Sequence, residues 1–123
     1  MRAILAASRK DFVVLSGDDA TARRAMQEGA RGVISVTANV APRAMADMIA
    51  AQLRGDHATA EKLDVPLEAL HRDLFVEPNP IPVKWAVARM GLIGEGIRLP
   101  LTLLSAAAQP AVLAALRRAG VLK

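Results

Sequence analysis

Phe12-Val13-Val14-Leu15-Ser16-Gly17-Asp18-Asp19 and Gly32-Val33-Ile34-Ser35-Val36 are the two stretches on which the fold turns. The first opens as a short β-prone run, and Ser16-Gly17-Asp18-Asp19 stops it. Asp18 or Asp19 suits a helix N-cap, and residues 20–28 read as a helix. Gly29 closes that helix, where a left-handed residue costs little. Gly32 then starts a second β-prone run. The result is a strand–helix–strand unit, whose two strands are expected to be parallel. Neither strand alternates apolar with polar residues; Ser35 is the one break in the second. Such continuous runs belong to parallel sheets covered on both faces. Two strands cannot cover each other, and no other convincing strand follows. The edges of this pair are therefore expected to need a partner.

The remainder of the chain reads as helix. Residues 2–9 look like the end of one. Residues 37–41 form a connecting loop, and Pro42 fits the first turn of the next helix. Met45, Met48, Ile49 and Leu53 fall on one face of that helix, which Gly55 ends. Leu63, Leu67, Leu70 and Leu74 repeat at helical spacing, with Pro66 set to kink or restart the helix. Glu77-Pro78-Asn79-Pro80-Ile81-Pro82 reads as a rigid extended connector. Residues 83–90 read as a short helix carrying Trp85, followed by a mobile turn region at Gly91, Gly94 and Gly96. Residues 109–118 read as the last helix, with Pro110 early, Arg117 and Arg118 in its final turn and Gly120 after it.

Composition narrows the function classes. The 123 residues are 53% hydrophobic and 23% charged, close to the soluble globular average. Alanine supplies much of that hydrophobic fraction, and only Phe12, Phe75 and Trp85 are aromatic. Alanine favours helix but buries little area, so the core is expected to be thin. Sixteen basic residues against 12 acidic ones give a formal charge of +4. The basic residues are scattered, with Arg23-Arg24 and Arg117-Arg118 the densest pairs, and there is no tyrosine to stack on bases. A nucleic-acid partner is not expected. No apolar run approaches the roughly 20 residues that span a bilayer, so no membrane association is expected. With no cysteine, disulfides, thiolate metal sites and cysteine nucleophiles are excluded. Residues 1–10 are too briefly apolar for a signal peptide, and a cytoplasmic location is the expectation.

The side chains of ordinary catalysis are not arranged for it. His57 and His71 have no carboxylate at metal-ligand spacing and read as surface or helix-flank residues, so no metal site is expected. Gly17-Asp18-Asp19 reads as a cap and turn. Gly91-Leu92-Ile93-Gly94-Glu95-Gly96 has its glycines misplaced for a dinucleotide fingerprint and follows no strand. Ser35 has no evident histidine partner. Lys84 could in principle form an imine, but reads as a snorkelling structural lysine. The methionines read as core filler.

Three stretches carry a resemblance. Leu15-Ser16-Gly17-Asp18-Asp19-Ala20 is the first. The second is Gly32-Val33-Ile34-Ser35-Val36-Thr37-Ala38-Asn39-Val40-Ala41-Pro42-Arg43. The third is Leu74-Phe75-Val76-Glu77-Pro78-Asn79-Pro80-Ile81-Pro82-Val83-Lys84. In this order and spacing, with Arg98-Leu99-Pro100-Leu101-Thr102 near the end, they resemble dihydrodipicolinate synthase, or 4-hydroxy-tetrahydrodipicolinate synthase. That is a member of the pyruvate-dependent class I aldolase/lyase family that includes N-acetylneuraminate lyase. The long third stretch is the most specific.

The resemblance implies an α/β fold: the last two β/α units of a TIM (β/α)8 barrel, followed by a helical region, mostly α by content. Residues 1–55 would be the end of the barrel, comprising the tail of the sixth helix and strands seven and eight with their helices. Residues 56–123 would be the C-terminal helical region. Family members condense pyruvate with aspartate semialdehyde in lysine and diaminopimelate biosynthesis, through an imine on a lysine of the sixth strand and a proton-relay tyrosine. Lys84 matches a lysine of the C-terminal motif, not the imine lysine, and these residues include no tyrosine at all. No catalytic residue and no cofactor is therefore expected in this chain. Ile34, Ser35, Gly17 and Asp18 would border the pyruvate pocket, at the barrel face where such enzymes place their sites. The chain is expected to be inactive alone. Pyruvate and aspartate semialdehyde would be its substrates only once a missing N-terminal segment completes the barrel. A homo-oligomer, or association with a barrel-completing chain, is expected. The alternative is a non-enzymatic module that binds itself or an intact synthase.

Overall fold

Helices form where the sequence places caps, prolines and alanines. The computed structural model describes residues 1–123. Helix α1 spans Arg2–Ala7 and α2 spans Asp19–Gln27. A single 3-10 turn, Thr37–Asn39, leads into α3, Pro42–Leu53, which carries its proline in the first turn as expected. The leucine repeat is split: α4 is His57–Asp64 and α5 is Glu68–Asp73, with Pro66 in the break. Helix α6 spans Ile81–Arg89 and α7 spans Gln109–Arg118.

The two expected strands are not formed. What remains of them is one parallel bridge, Ser16 to Val33. The Ser16 N–H donates to Gly32 O at 2.9 Å, and the Ile34 N–H donates to Ser16 O at 2.9 Å. A ladder running back from that bridge would bring the Gly32 N–H to Val14 O. Instead the Arg31 N–H makes that bond, at 2.8 Å. The register slips by one residue, and the pairing ends there. The parallel direction is thus present, but a partial barrel is not displayed by residues 1–123 alone. The fold is mostly helical.

Two other expectations are corrected. The connector before α6 is shorter than its prolines suggested. Ile81 and Pro82 already belong to the helix, because a proline in the first turn loses no intrahelical bond. Leu53, placed on the buried face of α3, is exposed. It is the last residue of the helix, beside the Arg54–Gly55 cap where the chain turns away.

The core is helix against helix. Met45 and Met48 of α3 meet Leu67, Leu70 and Leu74 from the α5 region, Ile81, Val83 and Ala86 of α6, and Val112 and Leu116 of α7 in one cluster. The most extensive packing joins α3 to α4, followed by α3 to the 3-10 turn and α5 to α7. Ala22, Ala51, Ala60 and Ala86 are wholly buried, whereas Phe12 and Phe75 are exposed. The thin, alanine-rich core follows from that composition.

Candidate functional site

The bridge between Ser16 and Val33 sets the candidate site. Gly17 and Asp18 leave one side of it, and Ile34 and Ser35 leave the other, so the four residues expected at the pocket border are brought to one end of the pairing. Their side chains are differently occupied. Asp18 is the N-cap of α2; its carboxylate accepts from the Thr21 N–H at 3.0 Å and from the Thr21 hydroxyl. The Ser35 hydroxyl accepts from the Ala38 N–H at 2.8 Å and holds the 3-10 turn. Gly17 is exposed, with open space where a Cβ would stand. The Ile34 side chain is 72% exposed.

Asp19 anchors the turn from below. It is buried, and its Oδ2 accepts from the backbone N–H groups of Val36 at 2.9 Å and Thr37 at 3.0 Å. Its other oxygen is buried without a partner. The fully buried Thr37 points to α5, where its Oγ1 lies 2.9 Å from His71 Nδ1. His71 Nε2 lies 3.1 Å from Asp64. Asp64 also accepts from Arg23 Nε at 3.0 Å, and Glu61 sits 3.5 Å from the same guanidinium. Burial pushes the Asp64 carboxyl up. The hydrogen bonds from His71 and Arg23 outweigh that, and its pKa lies below the ordinary carboxylate value.

His71 was expected on a surface or helix flank and is instead buried. It stands four residues after Leu67 and three before Leu74, on the inward side of the leucine repeat. That spacing, together with Asp64 seven residues earlier, was the available signal. Thr37 gave none, because a threonine in a connecting loop has many fates.

Beside the turn lies a cleft of about 380 Å³, lined by Val36, Asn39, Asn79, Lys84, Val87 and Ile93 among others. Lys84 is half-buried and makes no ion pair. A larger hollow, about 590 Å³, opens between α1 and α2. It is a surface groove spanned by the Arg2–Glu28 and Arg24–Glu28 pairs. No group of three His, Asp or Glu side chains is placed to hold a metal ion. No helix is long and apolar enough to cross a membrane. Chemically, the turn offers backbone groups and an apolar side chain to shape a pocket.

Residues 1–119, from α1 through α7, match the dihydrodipicolinate synthetase family, and the chain belongs to it. The relatives bear the particular name 4-hydroxy-tetrahydrodipicolinate synthase. The one from Methylococcus capsulatus is 62% identical over 111 residues, covering 90% of this chain and 38% of its own. The one from Pseudomonas aeruginosa is 59% identical over 113 residues, covering 92% and 39%. Among solved structures, the chloride-inhibited dihydrodipicolinate synthase of Acinetobacter baumannii, complexed with pyruvate, superposes with a TM-score of 0.94. It shares 46% identity and covers 98% of this chain and 42% of its own. The Aquifex aeolicus dihydrodipicolinate synthase gives 0.93 at 38% identity, covering 98% and 41%. The chain thus spans about two-fifths of the length of the relatives it matches.

Proposed function

We propose that residues 1–123 are the closing part of a pyruvate-dependent (β/α)8 barrel, condensing pyruvate with aspartate semialdehyde together with the preceding β/α units. On this reading residues 1–55 end the barrel and residues 56–123 form the helical region behind it. The observation that carries the reading is the exposure of apolar side chains along the bridged pair. Phe12 is 65%, Val13 61% and Ile34 72% exposed, and Leu15 nearly half. Apolar side chains exposed beside an unfinished ladder are what a sheet strand presents to a neighbour that would cover it. The likeness to full-length synthases supports the same occupant.

The chemistry divides between the two parts. A lysine amine of the preceding units adds to the pyruvate ketone, and loss of one water leaves the imine. Loss of a methyl proton turns the imine into its enamine, whose carbon adds to the aldehyde carbonyl as that oxygen takes up a proton, and hydrolysis of the remaining imine frees the lysine. Residues 1–123 supply the wall: Ile34 as an apolar border, Gly17 as close-approach backbone, and Asp18 and Ser35 as the groups that hold both in place. Lys84 stays structural, and the reaction is expected to be cytoplasmic.

The test is complementation. The purified chain is mixed with the preceding portion of the Methylococcus capsulatus relative, and condensation of pyruvate with aspartate semialdehyde is followed. Activity from the mixture, and from neither part alone, is expected. Stable association without activity would instead favour the non-enzymatic module, as would binding to an intact synthase.

A further inference from the structure

Ile34 and Ser35 lead from the bridge into the 3-10 turn, and this lead-in and turn are held by more than that one bridge. Four buried side chains link the turn to three helices: Thr37 of the turn itself, Asp19 of α2, His71 of α5 and, behind His71, Asp64 of α4. Asp19 grips the Val36 and Thr37 N–H groups. The Thr37 hydroxyl meets His71 at 2.9 Å, His71 meets Asp64 at 3.1 Å, and Arg23 closes the line at 3.0 Å. The order of donors follows from charge. Asp64 is ionised and accepts only, so the hydrogen between it and the ring sits on His71 Nε2. In the neutral ring Nδ1 is then an acceptor, and the Thr37 hydroxyl must donate to it. Thr37 is wholly buried, so no water replaces that bond.

We propose that Thr37, His71 and Asp64 form a positioning relay, in which Asp64 sets the His71 tautomer and His71 locks the Thr37 hydroxyl, fixing the 3-10 turn and the Ile34 and Ser35 that lead into it from the helical side. As a device for catalysis this rests on the reading of that turn as a border of the pyruvate pocket. As a conformational lock it does not. The arrangement explains why a turn with one bridge and a slipped register keeps a defined path. Its rigidity comes from α2, α4 and α5 rather than from neighbouring strands.

The test begins with the unaltered 123-residue chain. Nitrogen-15 NMR, at a pH where the ring carries a single proton, is expected to show that proton on His71 Nε2 and Nδ1 bare. Thr37→Val removes the hydroxyl and keeps the shape. Hydrogen exchange at the Ile34, Val36 and Thr37 amides is then expected to quicken by roughly ten- to a hundredfold, the loss of one buried hydrogen bond. Thr37→Ser restores slow exchange, and the amides of α7 stay within about twofold throughout. In the complemented barrel Thr37→Val raises KM for pyruvate more than it lowers kcat. A ring bare at Nε2 overturns the relay, as does acceleration spread evenly into α7, or failure of Thr37→Ser to rescue. If the lock holds in the isolated chain but KM is unmoved in an active complement, the catalytic role falls. If the complement is inactive, the pocket reading falls and the lock stands on the NMR and exchange results.

Discussion

Asp64→Asn is the sharpest single perturbation of the helical scaffold. The carboxylate accepts from His71 at 3.1 Å and from Arg23 at 3.0 Å, and its side chain is 11% exposed. An amide of the same shape has one acceptor oxygen and one NH2 group. Whichever way it turns, one donor faces another donor. Hydrogen bonds to a charged group contribute about 1.5–3 kcal/mol each. The amide keeps one in weakened form, and Arg23, a quarter exposed, recovers some hydration. The net loss is therefore about 2–3 kcal/mol. Urea unfolding followed by far-ultraviolet circular dichroism measures it directly. The pH dependence adds a second signature. The Asp64 pKa is lowered in the folded chain, so its contribution is fully present above the ordinary carboxylate range. It is lost as pH falls through the folded value. The parent is expected to lose stability below about pH 4 more steeply than the Asn variant. A loss under about 0.5 kcal/mol, the size of an ordinary surface substitution, would mean that Asp64 does not hold His71 and Arg23 together.

Three further outcomes are expected. Asp18→Ala removes the N-cap of α2, and should cost about 1 kcal/mol in urea unfolding. Leu70→Ala opens the centre of the helical core, where Leu70 is wholly buried, and should cost about 2–5 kcal/mol by the same assay. Ile34→Lys changes a side chain that is exposed in this chain, so its stability should shift by less than about 0.5 kcal/mol. The same substitution should abolish association with the preceding barrel units, read by sedimentation of the mixture.

Much of the helical architecture was legible because its signals are local. Pro42, Pro66, Gly55 and the residue types of α7 mark boundaries by backbone chemistry alone, and the structure puts elements at those places. Residues 12–15 and 32–36 read as strands because their side chains suit a covered parallel sheet. A strand, however, is a property of a pair and its neighbours. With one partner and a register slip at Arg31, that preference yields a single bridge. The site divides in the same way. Asp18 as a cap was legible, since an N-cap acts within three residues. The links from Asp19 to Thr37 and from His71 to Thr37 join residues 18 and 34 positions apart. No periodicity reports such contacts, and only the packed helices bring them together.

On the proposed reading, this chain walls a pocket whose reactive amine lies in other residues. Borohydride trapping with labelled pyruvate, followed by peptide mass spectrometry, decides where that amine lies. The chain alone should take up no label. Mixed with the preceding barrel units, label should appear on a lysine of that partner and on none of Lys10, Lys62, Lys84 or Lys123. Label on Lys84, with or without the partner, would place the reactive amine in this chain instead.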